Sequence, residues 1–336
     1  MKKVVLITVS CALLLNLTAC GKSTASSSGE SSYSSAAEAS VKSAATVSGE
    51  PESSVQSEPE SVPESIVYED EPNIAYSNES DFEYEADVKF TDCVNITKYK
   101  GAESDIRIPY SIGGKRVYSI KNVAFINCEA SSIRIPNGIE MIEDGAVSYC
   151  ANLTKISLPE SVRYIGNGAF SNCEKLKAVE IKNENAFLCD DCFSGCENLV
   201  QINLPSGTKC LSTGVFNGCS SLAEIELPKG IEEIRAHAFL GCKSLKSIEI
   251  PSGVTKIDQN VFKGCVNLKS VNIPENVTSI EKDAFSGCKK LTKIELPDGV
   301  EDIIYGSFSG IDDLTLTYRG KTYTNENING LYTFAY

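Results

Sequence analysis

The sequence predicts a stacked repeat solenoid, and three observations carry that prediction. Phenylalanines recur every 23 residues at Phe170, Phe193, Phe216, Phe239, Phe262, Phe285 and Phe308. A cysteine three positions on keeps the same step from Cys173 to Cys288, and so does a leucine three further, from Leu176 to Leu291. Apolar positions held in phase at a period of about 20 to 30 residues mark a unit too short to bury its own apolar side, which therefore stacks on its neighbours.

Written as one rung, the unit is A-F-x-G-C-x-x-L-x-x-I-x-(I/L)-P-x-x-V-x-x-I-x-x-x, as in Ala238 to Asn260. Ala238, Phe239, Cys242 and Leu245 step by about three, the period of a tight helical turn or 3₁₀ segment. Ile248 and Ile250 alternate, which puts both on one face of a short strand that Pro251 closes. That proline recurs at Pro136, Pro159, Pro205, Pro228, Pro274 and Pro297, with Lys182 as the one interruption. Val254 and Ile257 begin the return, with room for a second short extended piece. The prediction is one parallel strand plus a short helical or 3₁₀ return per 23-residue rung, about nine rungs in all, over residues 86–336.

These motifs carry a resemblance. L-x-x-I-x-(I/L)-P together with A-F-x-G-C resembles the leucine-rich repeats of the BspA-like bacterial surface proteins, over roughly residues 88–336. Ile96-Thr97-Lys98-Tyr99-Lys100-Gly101, Ile108-Pro109 and the Gly113-Gly114 turn resemble that family's first rung, and Tyr318 to Tyr323 its closing strand. The resemblance implies a right-handed leucine-rich-repeat coil and surface binding, with no catalytic residues. A solenoid also needs atypical ends to cover its last apolar face and block edge pairing. In the final unit Ile311 takes the cysteine position, Leu314, Leu316 and Tyr318 shift the strand pattern, and the polar Asn325–Asn329 stretch follows, which reads as a cap.

Residues 1–20 read as an export signal. Lys2 and Lys3 precede an apolar run from Val4 to Leu15, too short for a membrane span, and Leu17-Thr18-Ala19-Cys20 follows. This resembles a bacterial lipoprotein signal, in which Cys20 is lipidated; two or three acyl chains, at about 0.8 kcal/mol per buried CH₂, anchor stably where one is marginal. Residues 21–85 are rich in serine, glutamate and proline, with fourteen acidic residues against Lys22 and Lys42. Such a composition predicts a disordered acidic tether spanning roughly 45 Å. Of the net charge of −14, the tether takes −12 and the signal contributes +2, leaving −4 for the repeats. That balance argues against a nucleic-acid partner.

Fourteen cysteines in an exported chain suggest disulfides. Eight of them (Cys128, Cys150, Cys173, Cys196, Cys219, Cys242, Cys265 and Cys288) share one position of successive rungs. Parallel side chains aimed into the core, in a series that ends at Ile311, fit buried thiols acting as small hydrophobes. Cys93, Cys189, Cys192 and Cys210 lie off this ladder. Cys189-Asp190-Asp191-Cys192 with Cys196 and Cys210 has enough donors for zinc, but their directions do not converge; a Cys189–Cys210 disulfide or thiols throughout are the alternatives. The expectation is no metal and no cofactor.

Catalysis has little to rest on. His237 is the one histidine, at a position held elsewhere by Gly168, Asp191, Gly214 and Asn260, and a general base there lacks in-phase partners. Function in a solenoid falls on the strand face. Alternation turns outward the row Arg134, Ser157, Glu180, Asn203, Glu226, Glu249, Asn272 and Glu295, preceded by Ser132, Lys155, Ala178, Gln201, Glu224, Ser247, Ser270 and Lys293. Asn203, Glu226, Glu249, Asn272 and Glu295 form the candidate ligand face for a basic or polar protein or glycan at the cell surface; a charged face that merely resists aggregation is the plainer account. Tyr164 and Phe187, one rung apart, are a weaker candidate contact, for which local packing is the plainer account. The reading is a lipid-anchored, outward-facing adhesive or protein-binding module. The competing class is a structural envelope or wall-associated component, and a hydrolase comes third.

Overall fold

The computed structural model describes residues 75–333. The signal, Cys20 and the tether up to residue 74 lie outside the described residues. Two ladders of short parallel strands run along a solenoid, one on each side of a continuous apolar core. The first sheet begins with Asp105–Arg107, Ser132–Arg134, Lys155–Leu158, Ala178–Ile181 and Gln201–Ile202, each pairing the next in parallel. Ala178 stands opposite Lys155 and opposite Gln201, so the register advances by one repeat per rung. The second sheet, formed by the extended piece after the proline, carries Met141–Ile142, Tyr164–Ile165 and Phe187–Leu188, and resumes at Cys210–Leu211, Glu233–Ile234, Lys256–Ile257, Ser279–Ile280 and Asp302–Ile303.

The return expected to be helical is a chain of tight turns, and its hydrogen bonds say why. Alternate N–H groups donate to the next rung: Asp191 to Thr213 O at 2.8 Å, Phe193 to Val215 O at 3.0 Å, Gly195 to Asn217 O at 2.7 Å. The groups between them close short loops within the rung, as Ser194 does to Asp191 O at 3.0 Å. Donors spent between rungs cannot form the i→i−4 ladder of an α-helix. Two positions per return sit in left-handed backbone. One precedes the cysteine: Asn127, Tyr149 and Asn172, then Gly195, Gly218, Gly241, Gly264, Gly287 and Gly310. A Cβ at Gly241 would meet the glycine below at an ordinary 3.8 Å, so conformation rather than space selects glycine there.

Inside, the phenylalanine column is one stack. Successive ring centroids from Phe170 to Phe308 lie 5.3 to 6.1 Å apart. No disulfide joins the described cysteines. The ladder thiols do more than fill space. From Cys150 to Cys288 each donates to the carbonyl of the phenylalanine position one rung back: Cys196 to Phe170 O at 3.1 Å, Cys219 to Phe193 O at 3.2 Å, Cys242 to Phe216 O at 3.2 Å. Burial pushes these thiols up, Cys196 to about 12 and Cys219 and Cys265 well above the usual thiol range, so they stay protonated donors.

Both ends are capped. At the start, β1 (Phe82–Ala86) pairs antiparallel with β2 (Cys93–Tyr99), which opens the second sheet. Phe82 is buried against Tyr99 and Phe125, with centroids at 5.2 and 6.4 Å. Ser77 covers the edge of β3 (Asp105–Arg107): its N–H donates to Arg107 O at 3.0 Å, and its hydroxyl accepts the Arg107 N–H at 3.0 Å. Ser77 and the strand Phe82–Ala86 thus pack onto the opening end of the solenoid. At the far end Thr315–Tyr318 and Lys321–Thr324 form an antiparallel hairpin whose first strand pairs Lys293–Glu295, and the Asn325 amide donates to Ile311 O at 2.8 Å.

Candidate functional site

Along the first sheet every second residue is turned outward, and the rigid core behind fixes where each one points. Asn203, Glu226, Glu249, Asn272 and Glu295 are all exposed in one column, as the sequence expected. Their roles divide. Asn203 is committed to the backbone: its Oδ1 accepts Ile181 N–H at 2.9 Å and its Nδ2 donates to Ile181 O at 2.8 Å. Asn272 does the same at Ile250, at 2.7 and 3.3 Å. These amides stitch neighbouring rungs together, and that leaves Glu226, Glu249 and Glu295 as the members open to a partner. Asn272→Ala is accordingly expected to cost about 1 kcal/mol, while Glu249→Ala stays within about 0.5 kcal/mol, as urea titration of both variants would check.

The carboxylates sit where the sheet is open. Residues 224–227 belong to no strand, and Lys246 N–H to Ala223 O, at 3.1 Å, is a contact just before them. Ile225 and Leu227 are only half-buried, whereas Ile156 and Leu158 in the same columns are fully covered. Glu226 and Glu249 stand one rung apart, and like charges side by side oppose the approach that a ladder needs. Lys246 reaches Glu224 at 3.9 Å rather than either of them.

Toward the start of the sheet the row changes sign. Ser157 donates to Glu180 Oε2 at 2.6 Å, which ties up both. One rung before Arg134 comes Arg107, which stands opposite it in register but 27 residues back, so the 23-residue step, landing on Ser111, passes over it; Asp105 lies 3.6 Å from Nε of each arginine. On the second sheet Tyr164 and Phe187 stack at 6.4 Å with 16° between planes, and Phe187 is 41% exposed. Burial, followed by its hydrogen bond with Cys189, pushes the Tyr164 hydroxyl up.

His237 occupies the second left-handed position of the return, with Val123, Gly145, Gly168, Asp191, Gly214, Asn260, Asp283 and Gly306. That conformation explains the glycine, asparagine and aspartate in its column. Its Nε2 meets the Asn260 amide at 3.1 Å, and Asp191 lies two rungs away across Gly214. Among the described residues no three histidine, cysteine or carboxylate groups gather as a metal set. Cys192 points its thiol at Ile165 O and Gly166 O, at 3.4 and 3.3 Å, away from the half-exposed Cys210.

Two strands and a turn-built return, repeated on a 23-residue step around stacked phenylalanines, define a bacterial-type leucine-rich-repeat solenoid. The chain belongs to the BspA-type leucine-rich repeat family, whose model matches in six copies over residues 87–223 and 188–315. A leucine-rich repeat protein of T. pallidum is 30% identical, with 65% of this chain and 91% of that one covered and a TM-score of 0.50. A leucine-rich cell surface protein of Faecalibacterium prausnitzii is 23% identical, over 78% and 98% of the two chains, at 0.32. The pneumococcal vaccine antigen PcpA is 21% identical over 73% and 81%, at 0.47. No curated protein matches the chain. Repeat modules of this family generally serve protein binding.

Proposed function

We propose that this protein is a lipid-anchored, outward-facing binding module that holds a basic or polar partner, protein or glycan, on the second half of its first sheet. One observation carries the reading: Glu226, Glu249 and Glu295 project from a single exposed column, and the asparagines between them are consumed by the backbone. Carboxylates fixed at rung spacing on a stiff scaffold lose little freedom on binding, so the ordering cost falls mainly on the ligand. The leader supports the anchor, since Lys2-Lys3, the apolar Val4–Leu15 run and Leu17-Thr18-Ala19-Cys20 supply the order of parts a lipoprotein signal needs. An acidic stretch between anchor and repeats favours standing off an anionic membrane.

The test is capture by the lipid-free chain from host extracellular protein and glycan, in parallel with capture from the producing cell's envelope. A variant carrying E226K, E249K and E295K runs alongside. Host material retained by the parent and reduced at least about tenfold in the variant at low salt, with the difference shrinking as salt rises, is the expected result. Capture of envelope material alone, indifferent to charge reversal, overturns the reading in favour of a structural envelope component.

A further inference from the structure

Two positions in the opening returns hold residues that their backbone disfavours. Val123 and Tyr149 have φ of +54° and +59°, in columns whose other members are glycine, asparagine, aspartate and His237. Left-handed backbone strains any residue with a Cβ, and a β-branched one most of all. Burial does not repay that strain. Val123 is 49% and Tyr149 52% exposed, and Ile126, 43% exposed, stands where the next three rungs carry Ser148, Ser171 and Ser194. Among the described residues no hydrogen bond or ring contact holds the Tyr149 side chain. Three apolar residues thus replace small or polar ones within two adjacent rungs, on the outer surface of the return. Strain of this kind, kept without a packing gain, clusters at functional surfaces.

The charges beside the patch are negative on both sides. Asp144 borders it on one, its main-chain oxygen accepting the Val123 N–H at 3.2 Å. On the other, Glu129 and Glu174 stand one rung either way from Ala151, two residues past Tyr149. Asp144 and Glu129 are met by the neutral Asn167 and Asn152. The lysines of these returns are engaged elsewhere: Lys121 bridges Glu143 at 2.9 Å, and Lys175 donates to Asn152 Oδ1 at 2.8 Å. An apolar stripe between carboxylates complements apolar side chains flanked by cations, and repels an anionic membrane or a nucleic acid. We propose that Val123, Ile126 and Tyr149 form a docking site for a segment of a partner protein in which apolar side chains are flanked by lysine or arginine. The site lies on the return, off both sheets, and does not depend on the Glu226–Glu295 column.

Selection of a phage-displayed random peptide library on the full chain tests this, beside a variant carrying V123G, I126S and Y149N, each residue taken from its own column. Those substitutions relieve strain, so the variant is expected to fold and to melt about 2–4 °C above the parent. The expected result is enrichment of peptides that join apolar residues to lysine or arginine, bind the variant at least about tenfold more weakly, and slow amide exchange over residues 122–127 and 145–150 of the parent. The E226K, E249K and E295K variant is expected to bind them as the parent does. Peptides that bind the strain-relieved variant equally, or that are lost with the charge-reversed one, overturn the proposal. So does a strain-relieved variant that melts below the parent, which would mark the three residues as ordinary packing. Absence of basic apolar peptides from the selection also overturns it, in favour of a second copy of the chain where the parent self-associates and the variant does not.

Discussion

A chain that starts at Asp87 is expected to melt about 10 °C or more below one that starts at Pro63, and to self-associate where the longer chain stays monomeric. The shorter chain loses Phe82, 3% exposed and packed on Tyr99 and Phe125, together with the whole antiparallel partner of β2. Removing a buried phenylalanine side chain alone costs about 3–5 kcal/mol, against a total stability of about 5–15 kcal/mol. In a domain of this size each kcal/mol moves the midpoint by about 2–4 °C. Losing Ser77 also strips the edge of β3, so both sheets present bare N–H and C=O groups on the same end of the solenoid. Circular dichroism melts and sedimentation on the two chains check this. Equal midpoints with both chains monomeric would refute a capping role for residues 77–86.

That cap was hidden in the sequence because composition averages over residues. Glu79, Asp81, Glu83 and Glu85 continue the acidic character of the tether, and they do face solvent; one phenylalanine at position 82 carries the apolar half of an otherwise exposed strand. The columns themselves were fully legible, since a residue buried in every rung leaves the same letter every 23 positions. What periodicity cannot report is hydrogen bonding. A step of three in Ala238, Phe239 and Cys242 places side chains on one side of the chain, and it does so equally for a helix and for turns whose donors serve the next rung. The same blindness hid the thiol-to-carbonyl bonds of the cysteine ladder. It also hid the bidentate bonding of Asn203 and Asn272, which by alternation alone looked as available as Glu226.

Phe216→Ala is expected to cost about 3–5 kcal/mol and to divide unfolding into two steps. Phe216 is fully buried between Phe193 and Phe239, at 6.1 and 5.6 Å, so truncation removes two ring contacts at once. Its rung is also the one whose first strand, residues 224–227, joins no ladder. There the core side chains and the turn-to-turn bonds, such as Phe216 N–H to Ala238 O at 3.0 Å, carry the contact between rungs. In a solenoid each unit touches only its neighbours, and stability approximates a sum of unit and interface contributions. Weakening the rung whose first strand joins no ladder therefore uncouples the halves on either side of it. Phe308→Ala removes a ring with one stacked neighbour, Phe285 at 5.5 Å, beside the closing hairpin, and is expected to fray that end without splitting the transition. Residue-resolved hydrogen exchange through a urea series separates the outcomes. Protection lost at different urea concentrations before and after rung 216 supports the uncoupling. A single shared loss in Phe216→Ala would mean that the core alone couples the rungs, and that the open strand at Glu226 weakens nothing.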